Sequence, residues 1–258
     1  MTTNTEKCPD HTTATLYLEE NFAGEKPTND DLTFYTSSLM PYLLNGMRLF
    51  TTYEGMTCGH YFAQEGTNEQ TPFMAMIEVP ASVELTGTDT FDEFCIEWKE
   101  HFKAGYPFMH GQKMLRVGYE DGRYPSSKKS FGFSCLDENA NLQAEHFIGL
   151  WGSTAYGSIE WFENTGIAHP MDRWVTWRVW IKLNTPGESD GFVRITANGK
   201  PFITADDVNL RGTDPRGYNW WWVGGNYSME GGVGGLTSDG HRYITGLRWW
   251  NTAPEGQS

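Results

Sequence analysis

Lys113 and Arg116 stand close together in an acidic chain, with Lys99, Lys103, Arg123, Lys128 and Lys129 nearby in sequence. This is a local concentration of cations, and a basic groove of this kind can hold a polyanion even in an acidic chain. Strict strand alternation puts Lys113, Leu115, Val117 and Tyr119 on one face, and Met114, Arg116 and Gly118 on the other. Lys113 and Tyr119 can then share a groove, which Arg116 joins only if the strand carries a bulge. A solvated strand edge guarded by lysine is the competing reading of the same residues.

Aromatic residues make up 15% of the chain and gather in a few segments. In WVTWRVWIKL, Val175, Trp177, Val179, Ile181 and Leu183 alternate with Trp174, Thr176, Arg178, Trp180 and Lys182. The first set belongs in a core, while the second is amphipathic and could line a groove. In NWWWVGG, Trp220 and Trp222 face one way and Trp221 the other. Flat indoles stack on sugar rings with little demand for charge, so Arg116, Trp174, Arg178, Trp180, Trp220 and Trp222 are candidates for carbohydrate contact. Packing between two sheets uses the same residue types.

Metal chemistry finds no support. The seven histidines never form HxH or HxxxH, and the four cysteines (Cys8, Cys58, Cys95, Cys135) contain no CxxC. The acidic run from Asp137 begins like a calcium loop, but Leu142 stands at its turn-glycine position and Ile148 at its closing-glutamate position. No metal and no cofactor is expected. The cysteines read as buried thiols, with a Cys95–Cys135 disulfide as the alternative. His146, in QAEHF, is a candidate base, with a structural role as its alternative.

These residues need strands to hold them. Candidate strands are TLYLEENF, Met47–Tyr53, Gly59–Gln64, Phe73–Val79, Phe94–Lys103, Lys113–Tyr119, Ser130–Cys135, His146–Leu150, Ser158–Glu163, Trp174–Leu183, Gly191–Ala197, Asn219–Gly224 and Tyr243–Trp250. Asp121-Gly122, Asn198-Gly199 and Asp239-Gly240 supply turns. Only Asp30–Leu44 hints at a helix, and Pro41 interrupts it. Many short strands without alternating helices predict an all-β sandwich or jelly roll. One domain over 1–258 is expected, with 1–14 as a tail.

The net charge of −14 argues against nucleic acid as a partner. No stretch reaches the roughly 20 apolar residues of a membrane span. The start has neither the basic nor the apolar region of a secretory signal, so an extracellular or virion-surface setting is expected without a visible leader.

The order of segments resembles the concanavalin A-like jelly-roll polysaccharide lyases, the group that includes alginate and glucuronan lyases. The likeness rests on His110-Gly111-Gln112-Lys113-Met114-Leu115-Arg116 as counterpart of an aromatic bend followed by Gly-Gly-Lys-Leu-Pro. It rests equally on a late hairpin with Leu183-Asn184-Thr185-Pro186-Gly187, Asp190-Gly191 and Asn198-Gly199. The resemblance implies a jelly-roll β-sandwich of two antiparallel sheets and, if the chemistry carries over, β-elimination on a uronic acid. That reaction needs a neutralised carboxylate, a base at the C5 proton and an acid for the leaving oxygen. Lys113 matches the family's lysine; Tyr119, Gln143, His146 and Tyr156 support it by residue type. The family's Ser-x-Arg and Tyr-x-Tyr strands have no match, since Ser130-Phe131-Gly132 and Gln143-Ala144-Glu145-His146 stand in their places. The expected function is therefore polysaccharide engagement on a surface or virion-associated protein, with homo-oligomer or virion partners. The alternatives are a polyuronate lyase and a purely structural assembly protein.

Overall fold

A computed structural model describes residues 16–20, 47–63, 74–78, 91–106, 112–119, 129–135, 141–148, 159–218, 220–224 and 238–250. These form an all-β sandwich of two antiparallel sheets. The strands are β1 (Leu16–Glu20), β2 (Met47–Tyr53), β3 (Met56–Ala63), β4 (Met74–Glu78), β5 (Glu93–Phe102), β6 (Gln112–Tyr119) and β7 (Lys129–Cys135). They continue as β8 (Asn141–Ile148), β9 (Ile159–Ala168), β10 (Val175–Lys182), β11 (Gly191–Ala197), β12 (Lys200–Val208), β13 (Trp220–Gly224) and β14 (Gly240–Trp250). The first sheet runs β12-β11-β10-β5-β14-β3-β2, with β1 also beside β14, and the second runs β4-β13-β6-β7-β8-β9.

The core lies between the sheets and follows from alternation. On β10, Val175, Trp177, Val179 and Ile181 are fully buried. Their β5 partners in register are Glu100, Trp98, Ile96 and Phe94, on the same face. The second sheet contributes Leu115, Val117, Phe131, Phe133, Leu142 and Val223 to the same cluster. Burial of this many aromatic and aliphatic side chains is the main stabilising term.

A polar knot sits inside this core. Glu100 and Arg242 are both buried and form an ion pair, and Trp98 Nε1 donates to Glu100 Oε2 at 3.3 Å. Burial pushes the Glu100 carboxyl up, with Arg242 opposing. The Arg242 guanidinium also lies over the Phe102 ring, 4.9 Å from its centroid. His169 donates from Nδ1 to the Pro170 carbonyl at 2.8 Å and accepts from Trp177 Nε1 at 3.2 Å, which assigns its tautomer.

The predicted turn at Asn198-Gly199 joins β11 to β12, with both residues in the left-handed region (φ 50 and 74). Asn198 Oδ1 accepts from the Thr176 amide at 2.8 Å, which fastens the turn to β10. The connection from β10 to β11 is fixed by Asn184, whose side chain is fully buried. Its Nδ2 donates to the carbonyls of Thr185, Glu188 and Gly212, and its Oδ1 accepts from the amides of Leu210 and Arg211. Among the described residues, strand β12 is the one full strand that the sequence pattern does not anticipate. The region 30–44, where a helix was a candidate, lies outside the described residues.

The cysteines divide between the two expectations. Cys58 is a buried free thiol that burial raises to about 11, whereas Cys95 is disulfide-bonded.

Candidate functional site

The pairing of β6 with β7 decides which residues can meet. Lys113 pairs with Ser134 and Leu115 with Phe133, so Met114 is an extra residue in a bulge. The bulge shifts the alternation by one. Beyond it Leu115 and Val117 face the core, which places Arg116 and Gly118 on the outer face. Lys113, opposite Ser134, falls on the outer face too. Lys113 therefore joins Arg116 and is separated from Tyr119, the reverse of what strict alternation predicts.

Register carries these rows across the sheet. Lys113, Ser134, Gln143 and Asn164 form one outer row over β6, β7, β8 and β9. Trp222, Arg116, Gly132, Glu145 and Phe162 form the next, starting on β13. Trp220, Gly118 and Ser130 begin a third. The middle strand thus gives Ser130, Gly132 and Ser134 to the outer face, a floor of small residues about 13 Å long. Basic and tryptophan positions flank it on one side, and amide and carboxylate positions on the other. One face of the second sheet thus carries cationic, hydroxyl, amide and carboxylate positions in adjoining rows. Arg116 is 7% exposed on this face, so its guanidinium is already partly withdrawn from water and would meet an anion in a lowered dielectric.

Other sequence candidates fall elsewhere. His146 pairs with Phe131, a buried core residue, so its register position is on the core face. Tyr119 falls on the core face by the same alternation, and Tyr156 lies outside the described residues. Trp174, Arg178 and Trp180 belong to the first sheet, on the outer side of the sandwich away from β6, and cannot share a groove with Lys113. Trp180 is 6% exposed, packs with Cys95 and Trp250, and donates from Nε1 to Glu93 Oε1 at 2.9 Å. Arg178 is ion-paired with Glu97. Around Trp180 the amphipathic face of β10 is therefore a packing layer rather than a platform. Ser134, Asn164 and Glu145 were not singled out from sequence, and only the bulge and the pairing bring them into the rows. Among the described residues, no group of three or more His, Cys, Asp or Glu could hold a metal ion.

No protein-family model and no curated protein sequence matches the chain. Solved structures do. An alginate lyase of Aplysia kurodai, described as a marine PL-14 enzyme, is similar with a TM-score of 0.62 at 13% identity, covering 93% of this chain and 100% of that one. The alginate lyase vAL-1 from Chlorella virus is similar with a TM-score of 0.54 at 15% identity, covering 83% and 97%. The endo-β-1,4-glucuronan lyase of the fungus Trichoderma reesei follows with a TM-score of 0.55 at 11% identity, covering 81% and 92%. The chain has the jelly-roll fold of the concanavalin A-like polysaccharide lyases.

Proposed function

We propose that the protein engages an acidic polysaccharide along the outer face of the second sheet. The observation that carries this reading is the bulge at Met114, which sets Lys113 beside Arg116 over a floor of Ser130, Gly132 and Ser134. Two cations in adjacent rows suit the carboxylates of successive uronate units, and Trp220 and Trp222 hold register positions beside the floor. Similarity of fold to enzymes named for alginate and glucuronan supports the choice of polymer. Retardation in gels containing alginate or glucuronan tests it: the protein should be slowed, and Lys113→Ala should run as in a blank gel.

A second reading is β-elimination in the same groove, favoured by Lys113 lying in one row with Ser134 and Gln143. Arg116 and Gln143 would hold the carboxylate; Lys113 would take the C5 proton and return it to the departing oxygen as the C4–O bond breaks and the C4–C5 double bond forms. Growth of ultraviolet absorbance from the new conjugated double bond is its readout. The setting we propose is extracellular or on a virion surface. It is supported by the disulfide at Cys95, since such bonds persist in oxidising surroundings, and by the viral source of one structural relative.

A further inference from the structure

On the side of the sandwich away from the groove, the tip of the β2–β3 hairpin reaches over the first sheet. Tyr53 stacks flat on Tyr243, with ring centroids 3.9 Å apart and 4° between planes. It meets His101 edge-on at 4.9 Å. Trp174, just before β10, closes on His101 from another direction at 5.5 Å and lies 6.3 Å from Tyr53 at 56°. Tyr53 and Trp174 are half-buried, whereas Tyr243 and His101 are covered.

Beneath these rings, polar atoms are unsatisfied. His101 is fully buried and neither ring nitrogen has a hydrogen-bond partner, and the buried indole Nε1 of Trp174 has none either. The Glu54 carboxylate stands 3.9 Å from His101 Nε2, beyond hydrogen-bond reach. Buried donors and acceptors are rarely left unmade, and three in one patch call for a hydroxyl-bearing partner. The two-residue turn of Glu54 and Gly55 (φ 48 and 80) stands beside His101, and its displacement would open that ring. The charges that act on His101 are Glu54 and Asp172 against Lys103, a slightly negative surrounding that disfavours an anionic ligand.

We propose that Tyr53, Trp174 and His101 form a second glycan site, for a neutral pyranose, on the outer face of the first sheet. The two tilted rings present apolar surface to the C–H faces of a sugar. A hydroxyl entering as the turn shifts would meet His101 Nε2 and the Trp174 indole N–H. The site shares no residue with the groove and does not depend on it. It would hold a mixed cell-wall or mucilage-type polymer at a distance from the acidic strand.

Affinity electrophoresis of the full chain in gels containing β-glucan, galactomannan or starch tests the proposal. At least one neutral polymer should retard the wild type and Lys113→Ala alike. Tyr53→Ala and Trp174→Ala should each weaken that retardation about tenfold, and Trp174→Phe, which keeps a ring, should restore part of it. His101→Phe should weaken binding while melting no lower than the wild type, because it removes the two unpartnered nitrogens. The proposal is overturned if no neutral polymer retards the wild type, or if Tyr53→Ala and Trp174→Ala leave retardation unchanged. Should Trp174→Ala fail to fold, Tyr53→Ala at the hairpin tip decides. Failure of polyuronate binding in Lys113→Ala bears on the groove alone.

Discussion

Acidification should weaken this fold through one buried histidine. Burial holds the His169 imidazole down from its ordinary 6.5 to about 3, against a smaller upward pull from the Pro170 carbonyl. Protonation at Nε2 would also expel the indole N–H of Trp177, which that nitrogen accepts. The unfolded chain therefore takes up a proton on this residue at a higher pH than the folded one does. Its contribution is complete above about pH 6.5 and falls steadily as the pH drops towards 3. At about 1.4 kcal/mol per pH unit, the loss on going from about pH 7 to about pH 5 is about 2 kcal/mol. For a domain of this size that is about 4–8 °C in Tm. His101 and His241 are lowered in the same direction, also chiefly by burial, so the wild-type slope is shared. The informative quantity is the difference from His169→Asn. That variant loses ring contact with Phe102, 4.7 Å away, and should melt lower at neutral pH. The gap should narrow by about 2 kcal/mol at about pH 5. Thermal unfolding across this range measures it, and a gap that stays constant or widens on acidification would refute the reasoning.

Three substitutions test the scaffold. Asn184→Ala strands the buried Leu210 and Arg211 amides and takes a donor from the Glu188 carbonyl, while the Thr185 and Gly212 carbonyls keep the Glu188 and Gly187 amides; it should cost about 3 kcal/mol by urea unfolding. Gly217→Ala would set a Cβ 2.3 Å from the Phe91 carbonyl oxygen, a backbone atom that cannot rotate away; a loss of about 1–3 kcal/mol or more is expected, with the Phe91–Tyr218 bridge disrupted. Arg242→Met alone leaves Glu100 buried and uncompensated and should cost about 3–5 kcal/mol, whereas the Glu100→Leu, Arg242→Met pair should recover most of that loss.

Much of the fold is legible in the sequence where a single strand carries its own pattern. The alternation in WVTWRVWIKL locates both β10 and its core face, because period-2 burial needs no knowledge of the partner strands. Asn198-Gly199 is legible for a similar reason, since its left-handed conformation is a local preference. Strand β12 is not, because KPFITADDV mixes a proline and two aspartates into an edge strand whose pairing with β11 shifts register twice. The site depends on what no window of sequence contains. The bulge at Met114 is defined by pairing with β7, and it alone decides whether Lys113 keeps company with Tyr119 or with Arg116. Trp180 looks like a platform residue in isolation but is covered by Trp250 and Cys95, which lie far away in sequence. Tyr53, His101, Trp174 and Tyr243 come from four separate segments, and of these only Trp174 stands out in the sequence, through its place in WVTWRVWIKL.

The most direct test of the groove is calorimetric titration of defined alginate and glucuronan oligosaccharides into the wild type, Lys113→Ala and Trp222→Ala. Binding to the wild type is expected, with each variant at least about tenfold weaker, or about 1.4 kcal/mol, at unchanged Tm. Absence of binding to every polyuronate, or an affinity that neither substitution alters, would contradict a glycan groove on the second sheet.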